Sequence, residues 1–136
     1  MLIDSNILVY AINISSPKHL QAQEFLQKQV GNFFVAHQNI LETIRVLTHA
    51  KFPNPMSPKQ AMEAVKQITR AGRIIFPDYK TVELALIFIS QYGLKGDQIF
   101  DAYLVATALV NDVKEVASDN VKDLQIFPIK LFNPFS

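Results

Sequence analysis

Of the twelve carboxylates in this 136-residue chain, four stand where an ordinary surface charge is not expected. Asp4 follows the apolar pair Leu2-Ile3, and Asp119 follows Glu115-Val116-Ala117-Ser118. Each sits where a short strand should give way to a helix or turn. In a parallel sheet, ligands collect at the carboxyl ends of strands. Both acids can equally cap a helix or shape a turn. Asp101 is the only charge between Gln98 and Val110. A helix apolar on most sides is expected to be buried, and a buried carboxylate without a partner costs several kcal/mol or takes up a proton. A metal ion, an arginine from elsewhere, or the positive end of the helix would compensate it. Asp97, four residues earlier on the same face, reads as the cap of that helix. Glu42 shares a helical face with Gln38, Asn39, Arg45 and His49, opposite Ile40, Ile44 and Leu47. It reads either as a solvated glutamate paired with Arg45 at i+3 or as one facing a polar cleft.

Taken together, Asp4, Glu42, Asp101 and Asp119 suggest one chemistry. Hard oxygen donors, in a chain without cysteine, suit Mg²⁺ or Mn²⁺. Such an ion lowers the pKa of a bound water and stabilises an in-line phosphoryl displacement. His19, His37 and His49 lack metal-ligand spacing and read as surface or packing residues. There is no GxSxG elbow, HExxH, Walker loop or GxGxxG fingerprint, which sets aside the common hydrolase, protease, NTPase and dinucleotide readings. Lys59, Lys66 and Arg70 fall near one face of a helix, with Arg73 just beyond. They are candidates for neutralising RNA phosphates, although a solvated helix face is the simpler explanation.

The elements that must position these groups follow from periodicity and punctuation. Asp4-Ser5-Asn6 can cap a helix through Ile7–Ala11, and Ser16-Pro17 opens a second that ends at Gly31. Phe33–Ala36 reads as a strand, and a helix spans about Gln38 to Lys51. Ser57-Pro58 starts another helix, stopped at Ala71-Gly72. Arg73–Phe76 reads as a strand ended by Pro77, and Asp78 begins a helix reaching Tyr92-Gly93. Asp97–Val110 is a strongly apolar helix, with strands at Val113–Ala117 and Ile129–Phe132. Short apolar strands alternating with helices predict an α/β layer fold with a mainly parallel sheet.

Composition sets the frame. Apolar residues make up 49% and charged residues 18%, as expected of one compact domain over 1–136 rather than a disordered chain. A chain of this size buries roughly two thirds of its unfolded surface. No apolar run approaches the roughly 18 residues of a membrane span, and the opening residues do not resemble a secretory signal, so a cytoplasmic protein is expected. Thirteen basic against twelve acidic residues give a net charge of +1, which by itself announces no nucleic-acid partner.

The opening Met1–Tyr10 resembles that of PIN-domain nucleases, particularly the VapC-type toxins of toxin–antitoxin pairs. The resemblance continues through Glu42, Phe100–Ala108, Ser118-Asp119-Asn120 and the ending Leu131–Phe135, and so covers essentially the whole chain. It implies a three-layer α/β/α sandwich around a mainly parallel sheet and a divalent-metal-dependent endoribonuclease. Carried over by position, Asp4, Glu42, Asp101 and Asp119 form the acidic cluster. Asp4 and Asp101 are then the main Mg²⁺ or Mn²⁺ ligands, and Glu42 and Asp119 complete the site directly or through water. Ser5 and Asn6 orient the Asp4 loop, and Ser118 stands where the family often has Thr. Leu124 replaces the aromatic that commonly follows the last acid, and the adjacent Asp123 competes with Asp119 for the fourth place. The resemblance also implies a homodimer held inactive by a cognate antitoxin. Two other readings remain beside it: a binding module whose acids are caps and surface charge, and a small phosphatase with Asp4 as nucleophile. The phosphatase reading lacks its usual second aspartate, because Asn6 stands in that place.

Overall fold

The computed structural model describes residues 1–136. Five short strands form one sheet: β1 (Leu2–Ile3), β2 (Phe34–Ala36), β3 (Arg73–Ile75), β4 (Glu115–Ala117) and β5 (Lys130–Phe132). They lie in the order β3-β2-β1-β4-β5, and every pairing is parallel. Seven helices surround it: α1 (Ser5–Ile12), α2 (His19–Lys28), α3 (His37–Thr48), α4 (Pro58–Thr69), α5 (Thr81–Tyr92), α6 (Gln98–Val110) and α7 (Val121–Leu124). The expected fold class, a three-layer α/β/α sandwich, is the one observed.

Alternation along each strand assigns neighbours to opposite layers. Leu2, Ala36 and Val116 join the core under α5, α6 and α7, whereas Ile3, Val35 and Ala117 join the core under α1 and α2. A further cluster, with Val9, Leu47, Ala61 and Val65 at its centre, locks α1, α3 and α4 together. Strands buried on both faces need apolar residues at every position, which explains the short continuous runs in the sequence.

The chain steps outward from β1 through β2 to the edge strand β3, then returns through α5 and α6 to β4 and β5. The order therefore reverses between β1 and β4. Outside the carboxyl ends of the strands at such a reversal lies the crevice where open α/β sheets bind ligands. Asp4 ends β1 and Ser118 follows β4 at this edge.

Local chemistry sets the ends of several helices. Ser57 and Gln60 form a reciprocal capping box at the start of α4. Gly93 closes α5 in the left-handed region at φ 62°. Gly72 leads into β3 so close to Phe33 that a Cβ there would lie 2.5 Å from the Phe33 ring. Two sequence expectations shift. The second helix starts at His19 rather than beside Pro17, because the Ser16 hydroxyl accepts the Lys18 N–H in a preceding turn. Asp97 occupies the N-cap position of α6, but its side chain makes no capping bond. Asp78 does cap the entry to α5: its Oδ1 accepts the Lys80 N–H at 2.7 Å, and its own N–H donates to Thr81 Oγ1 at 2.9 Å. The segment after Asn120 forms the four-residue helix α7.

Candidate active site

Asp4 is fixed at the exit of β1. Its backbone N–H donates to the Ala117 carbonyl at 3.0 Å, continuing the ladder with β4. The side chain caps α1, with Oδ1 accepting the Ser5 N–H at 2.7 Å. Oδ2 accepts the Ser118 hydroxyl at 2.6 Å, and the Asn6 and Asn39 amides approach at 3.4 Å. Only 7% of Asp4 is exposed. Burial pushes its pKa up; the Ser118 and Ser5 bonds oppose this, and the charge of Glu42 adds to it.

Glu42 faces Asp4 from the first half of α3. Its Oε2 accepts the Ser5 hydroxyl at 2.9 Å, and its Oε1 accepts the Gln38 amide at 2.8 Å. Ser5 has a single hydroxyl proton, and the bond to Glu42 is shorter than its 3.4 Å approach to Asp4. The expected Glu42–Arg45 ion pair does not form, since the only ion pairs are Lys18–Asp119 and Lys130–Glu115. Glu42 instead takes the second sequence reading and lines a polar cleft beside Arg45.

Asp101, half-buried on the first turns of α6, is the electrostatic focus. Burial is the largest cause raising its pKa to about 6, followed by the negative charges of Asp4, Asp123, Glu42 and Asp97. Every one of these influences pushes the same way. Neither an arginine nor a lysine forms an ion pair with the group, so the three compensations open in the sequence narrow to two, the helix end and an ion.

The structure treats the fourth expected acid differently. Asp119 Oδ2 pairs with the Lys18 ammonium at 2.5 Å and accepts the Tyr10 hydroxyl at 2.9 Å, while the Asn133 amide reaches Oδ1. Lys18 and its companions hold the Asp119 pKa below the usual carboxylate value. Lys18 also lies over the Tyr10 and Phe135 rings. Asp119 thus joins β4 to α1, α2 and the chain end, and Asp123 on α7 is the nearby acid whose charge acts on Asp101. The backbone of Asp119 still serves the cluster. Its N–H donates to Asn6 Oδ1, and the Asn6 amide donates to the Ser118 hydroxyl.

A cleft of about 760 Å³ opens above Glu42 and Asp101, with Leu41, Arg45, Asp97, Phe100 and Tyr103 among its walls. Asp4 is not among the residues that line it. Arg45 is the cleft's only Lys or Arg. Lys59, Lys66, Arg70 and Arg73 are all exposed, and none of them lines the cleft. Arg73 starts β3 and Arg70 ends the helix leading to it, so both stand at the sheet edge opposite the carboxylates. No histidine bonds to the cluster. His19 contacts the Tyr10 carbonyl, His49 accepts the Lys51 N–H, and His37 packs on Phe76 with ring centroids 4.9 Å apart.

Sequence reasoning missed Asn39, Gln38 and Lys18. Asn39 was expected on a polar face, yet it is fully buried. Its Oδ1 accepts the Ala36 N–H at 3.1 Å, one half of a capping box whose other half alanine cannot supply. An amide three residues after a strand end was the available signal.

The donor set fits a hard divalent ion: carboxylates only, unneutralised, with oxygens oriented by neighbouring hydroxyls and amides. No three acidic or imidazole groups form a ready-made ion cage. Mg²⁺ characteristically keeps several waters and uses one or two carboxylates together with substrate phosphate, so an open arrangement suits it.

The PIN-domain family model matches residues 1–123, and the chain belongs to the PIN-domain family. Three solved structures show how far the fold is shared. A toxin–antitoxin complex from Klebsiella pneumoniae is 21% identical, with 98% of this chain and 96% of that one covered and a TM-score of 0.69. FitAcB from Neisseria gonorrhoeae is 16% identical, covering 98% and 97%, with a TM-score of 0.75. The Mycobacterium tuberculosis toxin VapC20, described as cleaving the sarcin-ricin loop, is 11% identical, covering 95% and 96%, with a TM-score of 0.73. No curated protein sequence matches the chain significantly.

Proposed function

We propose that this protein is a divalent-metal-dependent endoribonuclease and the toxin of a toxin–antitoxin pair, acting on RNA in the cytoplasm. The observation that carries the reading is Asp101, half-buried among the like charges of Asp4, Asp123, Glu42 and Asp97, with no ion pair to balance it. A protein that merely needed a stable fold would gain from an apolar residue there. Asp4, Asp101 and Glu42 would hold Mg²⁺ or Mn²⁺, and Asp123 takes the fourth place expected of Asp119. When bound, the ion supplies an activated water and charge stabilisation for in-line attack on a phosphodiester.

The chain's own residues do the rest. Ser118, Ser5, Asn6 and Asn39 hold the Asp4 carboxylate in one orientation. Ser5 and Gln38 do the same for Glu42. Arg45, on the cleft wall, is placed to meet a phosphate flanking the scissile one.

A cognate antitoxin and a second copy of the chain are the proposed protein partners. The Klebsiella neighbour is a toxin–antitoxin complex, which supports the first. Exposed Val82, Leu86 and Ile87 on α5 form the kind of apolar face that marks an interface, which supports the second. No helix is long and apolar enough to cross a membrane. The use of the Asp4 carboxylate to cap α1 favours the competing reading, an inactive binding module whose acids are caps and surface charge. RNA cleavage decides between them. Activity with Mg²⁺ or Mn²⁺ that disappears with EDTA, and in Asp4→Asn and Asp101→Asn, is expected. Cleavage that survives chelation and both substitutions would remove the metal mechanism.

A further inference from the structure

Gln38 ties the two helical layers together over the carboxyl edge of the sheet. It lies in the first turn of α3, and its Nε2 donates to Glu42 Oε1 at 2.8 Å and to the Phe100 carbonyl at 2.9 Å. Phe100 immediately precedes Asp101 on α6. Helix α3 packs with α1 and α4, whereas α6 belongs to the core on the other face of the sheet. One side-chain amide therefore spans the gap between the helix carrying Glu42 and the helix carrying Asp101.

Two acceptors fix the amide orientation, because only the nitrogen can serve both. The consequence is that Gln38 Oε1 is buried with no partner, the one such side-chain atom in the protein. An orphaned buried acceptor is a standing cost to stability. An apolar residue of similar length would fill the space without it. A side chain that carries that cost for two directed bonds, both at the edge of the acidic cleft, is better explained by geometry than by packing.

We propose that Gln38 is a positioning residue that sets the separation and orientation of Glu42 and Asp101 for divalent-ion binding. This rests on the metal-dependent reading above. Loss of a residue that orients a ligand typically lowers metal affinity or activity about 10- to 100-fold.

Gln38→Met keeps the volume and removes both donors; Gln38→Asn keeps the amide but shortens its reach. Calorimetric titration with Mn²⁺, thermal unfolding without metal, and RNA cleavage kinetics are measured for both and for the wild type. The expected result is a melting temperature for Gln38→Met close to that of the wild type. Its Mn²⁺ affinity falls about tenfold, and kcat falls with KM for RNA unchanged. Gln38→Asn moves in the same direction. In a Glu42→Gln background, Gln38→Met is expected to add less than about a twofold further loss, since coupled residues are not additive. Wild-type affinity and kcat in both variants, or full additivity with Glu42→Gln, would overturn the role of Gln38 alone. A wild-type protein that binds no Mn²⁺ would overturn the metal reading and this one with it.

Discussion

The Ser118 hydroxyl, just past the end of β4, donates a 2.6 Å hydrogen bond to Asp4 at the end of β1. The two residues are 114 positions apart. This bond joins the strands on either side of the topological reversal and opposes the rise that burial imposes on the Asp4 pKa. Ser118→Ala leaves a buried carboxylate short of its closest side-chain donor, and the expected cost is about 1–3 kcal/mol. Urea unfolding at pH 7 checks the value. Ser118→Thr, which keeps the hydroxyl, should restore most of it.

Asp101 gives a pH signature in the metal-free protein. Its folded pKa of about 6 lies above the ordinary carboxyl value of 3.8, so the folded state holds a proton that the unfolded state has lost between those values. Its contribution to stability therefore falls as pH rises from about 4 to 6. Asp101→Asn removes this slope. At pH 7.5 the variant should be more stable than the wild type, on the order of 1 kcal/mol once the half-exposed position is discounted for solvent screening. Thermal melts of both proteins from pH 4 to 8 test the sign: equal curves would mean that Asp101 is not under electrostatic pressure.

Asp119 and Asp123 should separate cleanly. With its carboxylate held by Lys18 and Tyr10, Asp119→Asn is expected to change Mn²⁺ affinity by less than about threefold. Asp123→Asn, which removes a charge acting on Asp101, should weaken it about tenfold. Parallel titrations of the two variants give the comparison, and the reverse ranking would return Asp119 to the ion site.

How much of this was readable beforehand depends on what kind of information each residue carries. Asp4 and Asp101 stood out because a strand end and an otherwise uncharged helix are patterns within one stretch of chain. The layer architecture followed from the same kind of pattern, since strands buried on both faces are continuous apolar runs. Asp119 looked equivalent to Asp4 by the same rule, yet a strand-end position does not say which way the side chain turns. That was decided by Lys18 and Asn133, which arrive from distant parts of the chain. The turn α7, four residues long, is too short to show a helical period, so Asp123 could not be placed. Asn39 fell on the polar side of a helical wheel, but α3 starts against the strand edge, where that side is interior.

Gly72 tests the packing beneath the site. A methyl group there would meet the Phe33 ring at 2.5 Å and its carbonyl oxygen at 2.8 Å. Phe33 is 1% exposed and has little room to yield. Gly72→Ala should destabilise the fold by about 1–3 kcal/mol through overpacking, as read by chemical denaturation. A neutral result would mean that β3 shifts freely at the sheet edge.

The central claim is that the unbalanced charge around Asp101 is a place for a divalent ion. Electron paramagnetic resonance of Mn²⁺ titrated with the protein at pH 7.5 measures the free ion directly, without reference to any substrate. Loss of the free-ion signal at about one equivalent, displaced by Mg²⁺ and absent in Asp101→Asn, is the result this account predicts. An undiminished signal with the wild-type protein, or equal binding by Asp101→Asn, would contradict it.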